Sequence, residues 1–173
     1  MPNSKNTYEY IEHPFEPVWN EKSRILILGT LPSPKSRKYG FYYGHPRNRF
    51  WATISQIIGV QEPEEDKNSK EAFLLANNIA VWDVLHSCFI KGASDSSIRD
   101  AVPNKFQNII QKSNISTIFT TGSKATKLFN TLSADKAGMT ARYLPSTSPA
   151  NSWWNKKNYF VLWKNEIEQS LLK

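Results

Sequence analysis

Four aliphatic residues in a row, Ile25-Leu26-Ile27-Leu28, break directly into Gly29-Thr30-Leu31-Pro32-Ser33, and this junction constrains the fold more than any other stretch. A run with no polar alternate positions cannot keep one face in water, so it predicts a strand buried on both sides, as in a parallel sheet. Glycine and proline then turn the chain into a tight polar loop. In open α/β sheets the loops beyond the carboxyl ends of strands are where ligands bind, so chemistry is expected here. The chain continues into Phe41-Tyr42-Tyr43-Gly44-His45-Pro46-Arg47-Asn48-Arg49-Phe50-Trp51, which is dense in groups that stack on a base, contact a phosphate or hydrogen-bond a polar substrate. Three successive aromatics cannot all point inward from an extended loop, which leaves at least one available for stacking.

The remaining pattern alternates strands with helices. Pro46 suits a first helical position, and Phe50, Trp51, Ile54, Ile57 and Ile58 recur on one helical face until Gly59. Gln61 to Lys67 reads as an acidic connector, with Asn68 or Ser69 capping a helix through about Asn77. Strands are expected at Ile79–Trp82, Ser116–Thr120 and Ala141–Leu144. Val102 to Gln111 reads as a helix feeding the third strand, as a right-handed crossover requires. Ser123 is expected to cap a helix through Leu132, and Phe160, Leu162, Trp163, Ile167 and Leu171 mark a final helix. Residues 1–23, with Pro2, Pro14 and Pro17, read as an extended arm over the core. The expected architecture is a single α/β domain over residues 1–173, a central, mainly parallel four-stranded sheet between two helical layers.

Four strand ends then carry marked loops: Gly29 to Ser33, Asp83 to Cys88, Thr121 to Ser123, and Pro145 to Asn151. All should lie on one sheet edge, presenting hydroxyls and backbone N–H groups suited to phosphates, although any one of them could simply be a turn. Neither a Walker A motif nor a Gly-x-Ser-x-Gly nucleophile elbow is present, which argues against phosphoryl transfer and esterase chemistry.

The formal charge of +7, from 22 basic and 15 acidic residues, attracts polyanions, nucleic acid being the commonest, though a merely basic protein would show the same balance. Cys88 is the only cysteine, and His13, His45 and His86 form no ligand pair at helical spacing, so neither a metal nor another cofactor is expected. The polar N-terminus carries no apolar signal core, and no run reaches the ~20 apolar residues of a membrane span. A cytoplasmic monomer is the expectation.

Taken with Trp82-Asp83-Val84-Leu85, Ser94-Asp95-Ser96-Ser97-Ile98 and Leu144-Pro145-Ser146-Thr147-Ser148-Pro149-Ala150-Asn151, the two opening segments resemble the sixth family of the uracil-DNA glycosylase superfamily, the hypoxanthine-DNA or DNA-deoxyinosine glycosylases. The match runs in order from Arg24 to Asn151. It implies a compact α/β/α fold and hydrolysis of the bond between a deaminated base and its sugar in base excision repair. Hypoxanthine is the first candidate base and uracil the second. Other superfamily members place Asp or Asn before the motif proline to orient the attacking water; Leu31 stands there and cannot do so. The resemblance instead assigns the catalytic asparagine to the helix, at Asn48. Uracil-only members follow that proline with a tyrosine that excludes bulkier bases, whereas Ser33 implies a roomier pocket. Ser148 takes the place of a leucine wedge found in several members, and Thr121 stands where an asparagine often precedes the glycine.

On this reading Tyr42 or Tyr43 stacks on the extruded base while backbone groups of Thr30 and Leu31 read its edge. Gly29, Pro32, Ser33, His45, Thr121 and Gly122 complete the base pocket. Asn48 orients water or donates to the leaving base, and Asp83 acts as a second water-positioning group or orients His45 or Asn48. The bland alternatives are that Asp83 caps a turn and His45 caps a helix. Lys35, Ser36, Arg37, Arg47 and Lys124, with Ser146, Ser148 and Asn151, are the candidate DNA contacts. Two other functions are the alternatives: a non-catalytic nucleic-acid-binding domain of the same fold, which predicts the same salt-sensitive binding without base release, and a hydrolase of free nucleosides, which does not require the basic surface.

Overall fold

A computed structural model describes residues 6–172. Its central sheet consists of β2 (Ile25–Gly29), β3 (Ile79–Asp83), β6 (Thr117–Thr121) and β7 (Ala141–Leu144), in the order β3-β2-β6-β7 with every pair parallel. The four expected strands are all present, and the α/β architecture is as the sequence implies. Side-chain alternation explains the two-sided burial. Ile25 and Ile27 pack on one side with Val81, Phe119 and Leu144, whereas Leu26 and Leu28 pack on the other with Ala80, Ile118 and Ala141. Each of the four residues from Ile25 to Leu28 is fully buried, worth ~1.5–3 kcal/mol apiece.

The first layer is built by α2 (Phe50–Ile58), α3 (Lys67–Ala76) and α7 (Tyr159–Leu171), through Phe50, Ile54, Leu74, Trp163 and Ile167. The second contains α4 (Gln107–Gln111), α5 (Ser123–Leu132) and the short α6 (Ala134–Ala137), through Ile109, Phe129 and Ala134. A six-residue helix, α1 (Pro34–Tyr39), follows the first loop; Ser33 caps it by accepting from the Ser36 amide at 3.1 Å.

Several expectations need correction. Pro46 lies in a turn, and α2 begins at Phe50. Asp66, not Asn68 or Ser69, caps α3 by accepting from the Ser69 amide at 2.8 Å, and Gly122 rather than Ser123 is the cap of α5. The loop expected from Asp83 to Cys88 is mostly strand. β4 (Leu85–Lys91) and β5 (Ser94–Pro103) form a hairpin that pairs with β1 (Glu9–Glu12) in a separate antiparallel sheet ordered β1-β4-β5. The helix expected over Val102–Gln111 is thereby shortened to Gln107–Gln111. Pro103 pairs with Leu85, and the buried Asn104 amide donates to the carbonyls of Asp83 and Leu85 at 2.9 and 3.1 Å. Long-range pairing therefore overrides the local helical spacing of Val102, Phe106 and Ile109.

Of the predicted arm, residues 1–5 lie outside the described residues. The part that follows is anchored: β1 joins the second sheet, and Val18 and Val81 exchange backbone hydrogen bonds of 2.9 Å.

Candidate active site

The register aligns the strand ends. Gly29 lies opposite Asp83, and Thr121 opposite Leu144, so the four strand ends share one edge of the sheet. Between them opens a cavity of about 430 Å³, within the usual span of small-molecule pockets. All five residues from Gly29 to Ser33 line it, as do Tyr42, Tyr43, His45, Asn48, Asp83 and Thr121. Gly122 does not line it; its left-handed φ of 93° turns β6 into α5, and its amide donates to the Leu144 carbonyl at 2.7 Å.

Asp83 is buried against the cavity floor, and its Oδ2 accepts from His13 Nε2 at 2.7 Å. The expected partners were His45 and Asn48. His45 instead uses Nδ1 to accept the Arg47 amide at 3.0 Å, holding the turn before α2. His13, which comes from the arm, is the buried partner and was not singled out by sequence. Its Nδ1 lies 2.8 Å from the Phe15 carbonyl and 3.2 Å from the Phe15 amide, so the ring is held from both sides. The pair leaves Asp83 Oδ1 on the side of Gly29. A Cβ at residue 29 would lie 2.5 Å from Oδ1, so only glycine allows this approach.

Asn48 stands at the entry to α2, where its Oδ1 accepts the otherwise unpaired Phe50 amide at 2.9 Å. This bond fixes the plane of the side-chain amide beside the cavity. The neighbouring Arg49 ties the same turn to the opposite rim: its backbone amide donates to Thr147 O at 3.1 Å and its guanidinium to Ser148 O at 2.8 Å. Arg49 is a second residue that sequence reasoning missed, and it bridges 99 positions.

The two tyrosines differ. Tyr42 is buried, its hydroxyl donating to the Glu16 carbonyl at 2.8 Å and its ring set edge-on to Phe15 and Phe41. Tyr43 takes a left-handed φ of 52°, uncommon for a bulky residue. Its ring stacks on Phe50 with centroids 3.9 Å apart. Burial, reinforced by the Asp83 charge, pushes both phenols well above the ordinary tyrosine range, so both stay protonated. Leu31 offers the cavity only an apolar side chain packed toward the second layer. The Thr30 carbonyl accepts from the Leu85 amide at 3.1 Å, which ties the first loop to the start of β4.

The tip of the β4–β5 hairpin supplies Gly92, Ala93 and Asp95 to the cavity, a contribution hidden by reading the region as a loop. Desolvation raises the Asp95 pKa, opposed by hydrogen bonding from Thr30 and by the Lys124 charge. Among the expected DNA contacts, Lys35, Ser36, Arg37, Ser146 and Ser148 line the cavity, whereas Arg47, Lys124 and Asn151 do not. The Ser36 side chain is buried at the cavity wall, and its hydroxyl accepts from the Gly44 amide and the Ser33 hydroxyl at 3.1 and 3.2 Å. The Asn151 side chain donates to Ser146 O at 2.9 Å and so shapes the last loop.

The sequence matches the family described as the uracil DNA glycosylase superfamily over residues 16–171. Two curated relatives are named hypoxanthine DNA glycosylase. That of Methanosarcina barkeri (strain Fusaro / DSM 804) is 33% identical over 138 residues, covering 79% of this chain and 86% of the relative. That of Methanosarcina acetivorans is 33% identical over 147 residues, covering 84% and 92%. A solution NMR structure of a candidate uracil DNA glycosylase from Methanosarcina acetivorans superposes with a TM-score of 0.75 at 32% identity, covering 91% of this chain and 96% of that one. With the parallel sheet, the aligned strand ends and the cavity between them, these matches establish that the chain belongs to the uracil DNA glycosylase superfamily.

Proposed function

We propose that this protein is a monofunctional DNA glycosylase that hydrolyses the N-glycosidic bond of a deaminated base, hypoxanthine first and uracil second. The observation that carries the reading is the cavity itself, where a fixed Asn48 amide and the Asp83 carboxylate face a common space beside a stacked Tyr43. The substrate base leaves the duplex at a cost of a few kcal/mol, least for a mispaired base, which favours deaminated sites. Tyr43, backed by Phe50, stacks on the flipped base; Tyr42 supports the wall from behind.

Asp83 Oδ1 accepts a hydrogen bond from the base. Hypoxanthine carries N1–H beside C6=O, whereas adenine presents a lone pair at N1. A fixed acceptor therefore favours the deaminated form, and the same holds for uracil N3–H against cytosine N3. Bond cleavage builds oxocarbenium character on the sugar and negative charge on the base. Asn48 orients the attacking water or donates to the leaving base, and attack on a nearly formed cation needs little basicity. The start of α2 adds positive potential beside the departing base. Lys35, Arg37 and the loop hydroxyls of Ser146 and Ser148 hold the backbone.

The test is a panel of oligonucleotides, each with one hypoxanthine, uracil, xanthine, adenine or 1-methylhypoxanthine, followed by alkaline cleavage of abasic sites. Release of hypoxanthine, with 1-methylhypoxanthine slower by roughly 10- to 100-fold as expected for one lost hydrogen bond to a charged group, supports the assignment. Binding without release of any base would favour the non-catalytic reading, and release from free inosine alone would favour the nucleoside hydrolase.

A further inference from the structure

Beyond the rim of the cavity the chain places two adjacent tryptophans in opposite environments. Trp154 is buried beside Trp163, with the Arg49 guanidinium 5.6 Å from its ring centroid. Trp153 is 54% exposed, and the ammonium groups of Lys156 and Lys157 each lie 5.5 Å from its ring. An indole left this open forgoes ~1.5–3 kcal/mol of the kind that burying a large apolar side chain provides. The backbone here is held in place. The Trp153 amide donates to Asn151 Oδ1 at 3.2 Å, its carbonyl accepts from the Lys157 amide at 2.9 Å, and the Asn151 side chain is bonded to the cavity-lining Ser146. Trp153 follows the cavity-lining Ala150 by three residues, so their Cα atoms lie within ~11 Å at ~3.8 Å per step. That is the span of about three nucleotides at ~3.4 Å each.

We propose that Trp153, with Lys156 and Lys157, forms a second DNA-binding element, a platform on which an unpaired base flanking the flipped nucleotide stacks while the lysines meet its phosphates. The reading rests on the cavity being a glycosylase site. An exposed aromatic between cations suits a base and its backbone, because every base offers a π-face and every nucleotide a negative charge. It also supplies, on the same side as the last loop, an apolar group where Ser148 offers none.

The experiment measures binding by the full-length protein to lesion-containing oligonucleotides in which flanking bases are replaced, one position at a time, by an abasic analogue. Trp153→Ala should weaken binding to the fully based DNA by roughly 5- to 100-fold, with Trp153→Phe restoring most of it. At one flanking position the abasic analogue should erase the difference between wild type and Trp153→Ala. The Lys156→Ala/Lys157→Ala variant should flatten the log–log salt slope by ~1.8 on duplex DNA, ~0.9 for each phosphate contact. Unchanged affinity of Trp153→Ala, or a loss that persists at every abasic position, overturns the platform, the latter marking a surface used for something other than a base. If wild type excises hypoxanthine while Trp153→Ala binds as tightly, the platform falls and the glycosylase reading stands. If wild type excises nothing yet shows the base-dependent loss, the reverse holds.

Discussion

His13 and Asp83 are 70 positions apart and meet at 2.7 Å with both side chains nearly inaccessible. Removing one member of a buried pair strands the other charge, a change that costs ~3–5 kcal/mol. His13→Ala should therefore lower the urea midpoint far more than a surface substitution, and His13→Ala/Asp83→Asn should recover part of the loss by removing the stranded charge. Equal destabilisation of the single and double variants would show that packing, not the pair, dominates. Asp83 could be read from sequence as a group at a strand end, because the pattern of β3 stops there. His13 could not, since nothing local distinguishes a histidine in a proline-containing arm from a surface one. Asn48 was legible through the resemblance, but its hydrogen bond to the Phe50 amide needed three-dimensional geometry.

Among the elements, the β4–β5 hairpin does most to change the picture of the cavity. The parallel strands were legible because unbroken aliphatic runs admit few alternatives. The hairpin was not. β5, Ser94 to Pro103, is polar and largely exposed, and its pairing with β4 carries register shifts, so no clean alternation marks it. Its Asp95 provides a pH signature. The folded-state pKa is raised, so the folded protein holds this proton more tightly than the unfolded chain. The stabilising contribution is present below the ordinary aspartate pKa and is lost as pH rises through the raised value. Asp95→Asn should therefore gain stability relative to wild type as pH rises through and above the carboxylate range. Denaturation curves for the two proteins across that range check this, and a gap that widens instead toward acid would contradict it.

For the whole molecule, excess positive charge and a rim of Lys35, Arg37 and loop hydroxyls imply that affinity for DNA falls steeply with salt. Lys35→Ala should reduce the log–log slope by ~0.9 and weaken binding to every sequence alike, since phosphate contacts position the duplex without reading it. Fluorescence anisotropy over a salt series measures both; a sequence-dependent loss would move Lys35 from the backbone to a base. The topology explains why one edge carries these functions. Four parallel strands in register end at one edge, and Arg49 ties the segment after β2 to the loop after β7.

The central claim is that this edge hydrolyses a glycosidic bond through Asn48. The most direct measurement is the single-turnover rate of base release from hypoxanthine-containing DNA by wild type, Asn48→Ala and Asn48→Ser. Serine can still cap the Phe50 amide, so it separates the loss of helix capping, ~0.5–2 kcal/mol of stability, from the loss of chemistry. Both variants should fold and bind DNA while slowing release by at least ~100-fold, the scale of one preorganised polar group removed from a transition state. Leu31→Ala should matter far less. Near-wild-type release by Asn48→Ala would contradict the account and move the chemistry to Asp83.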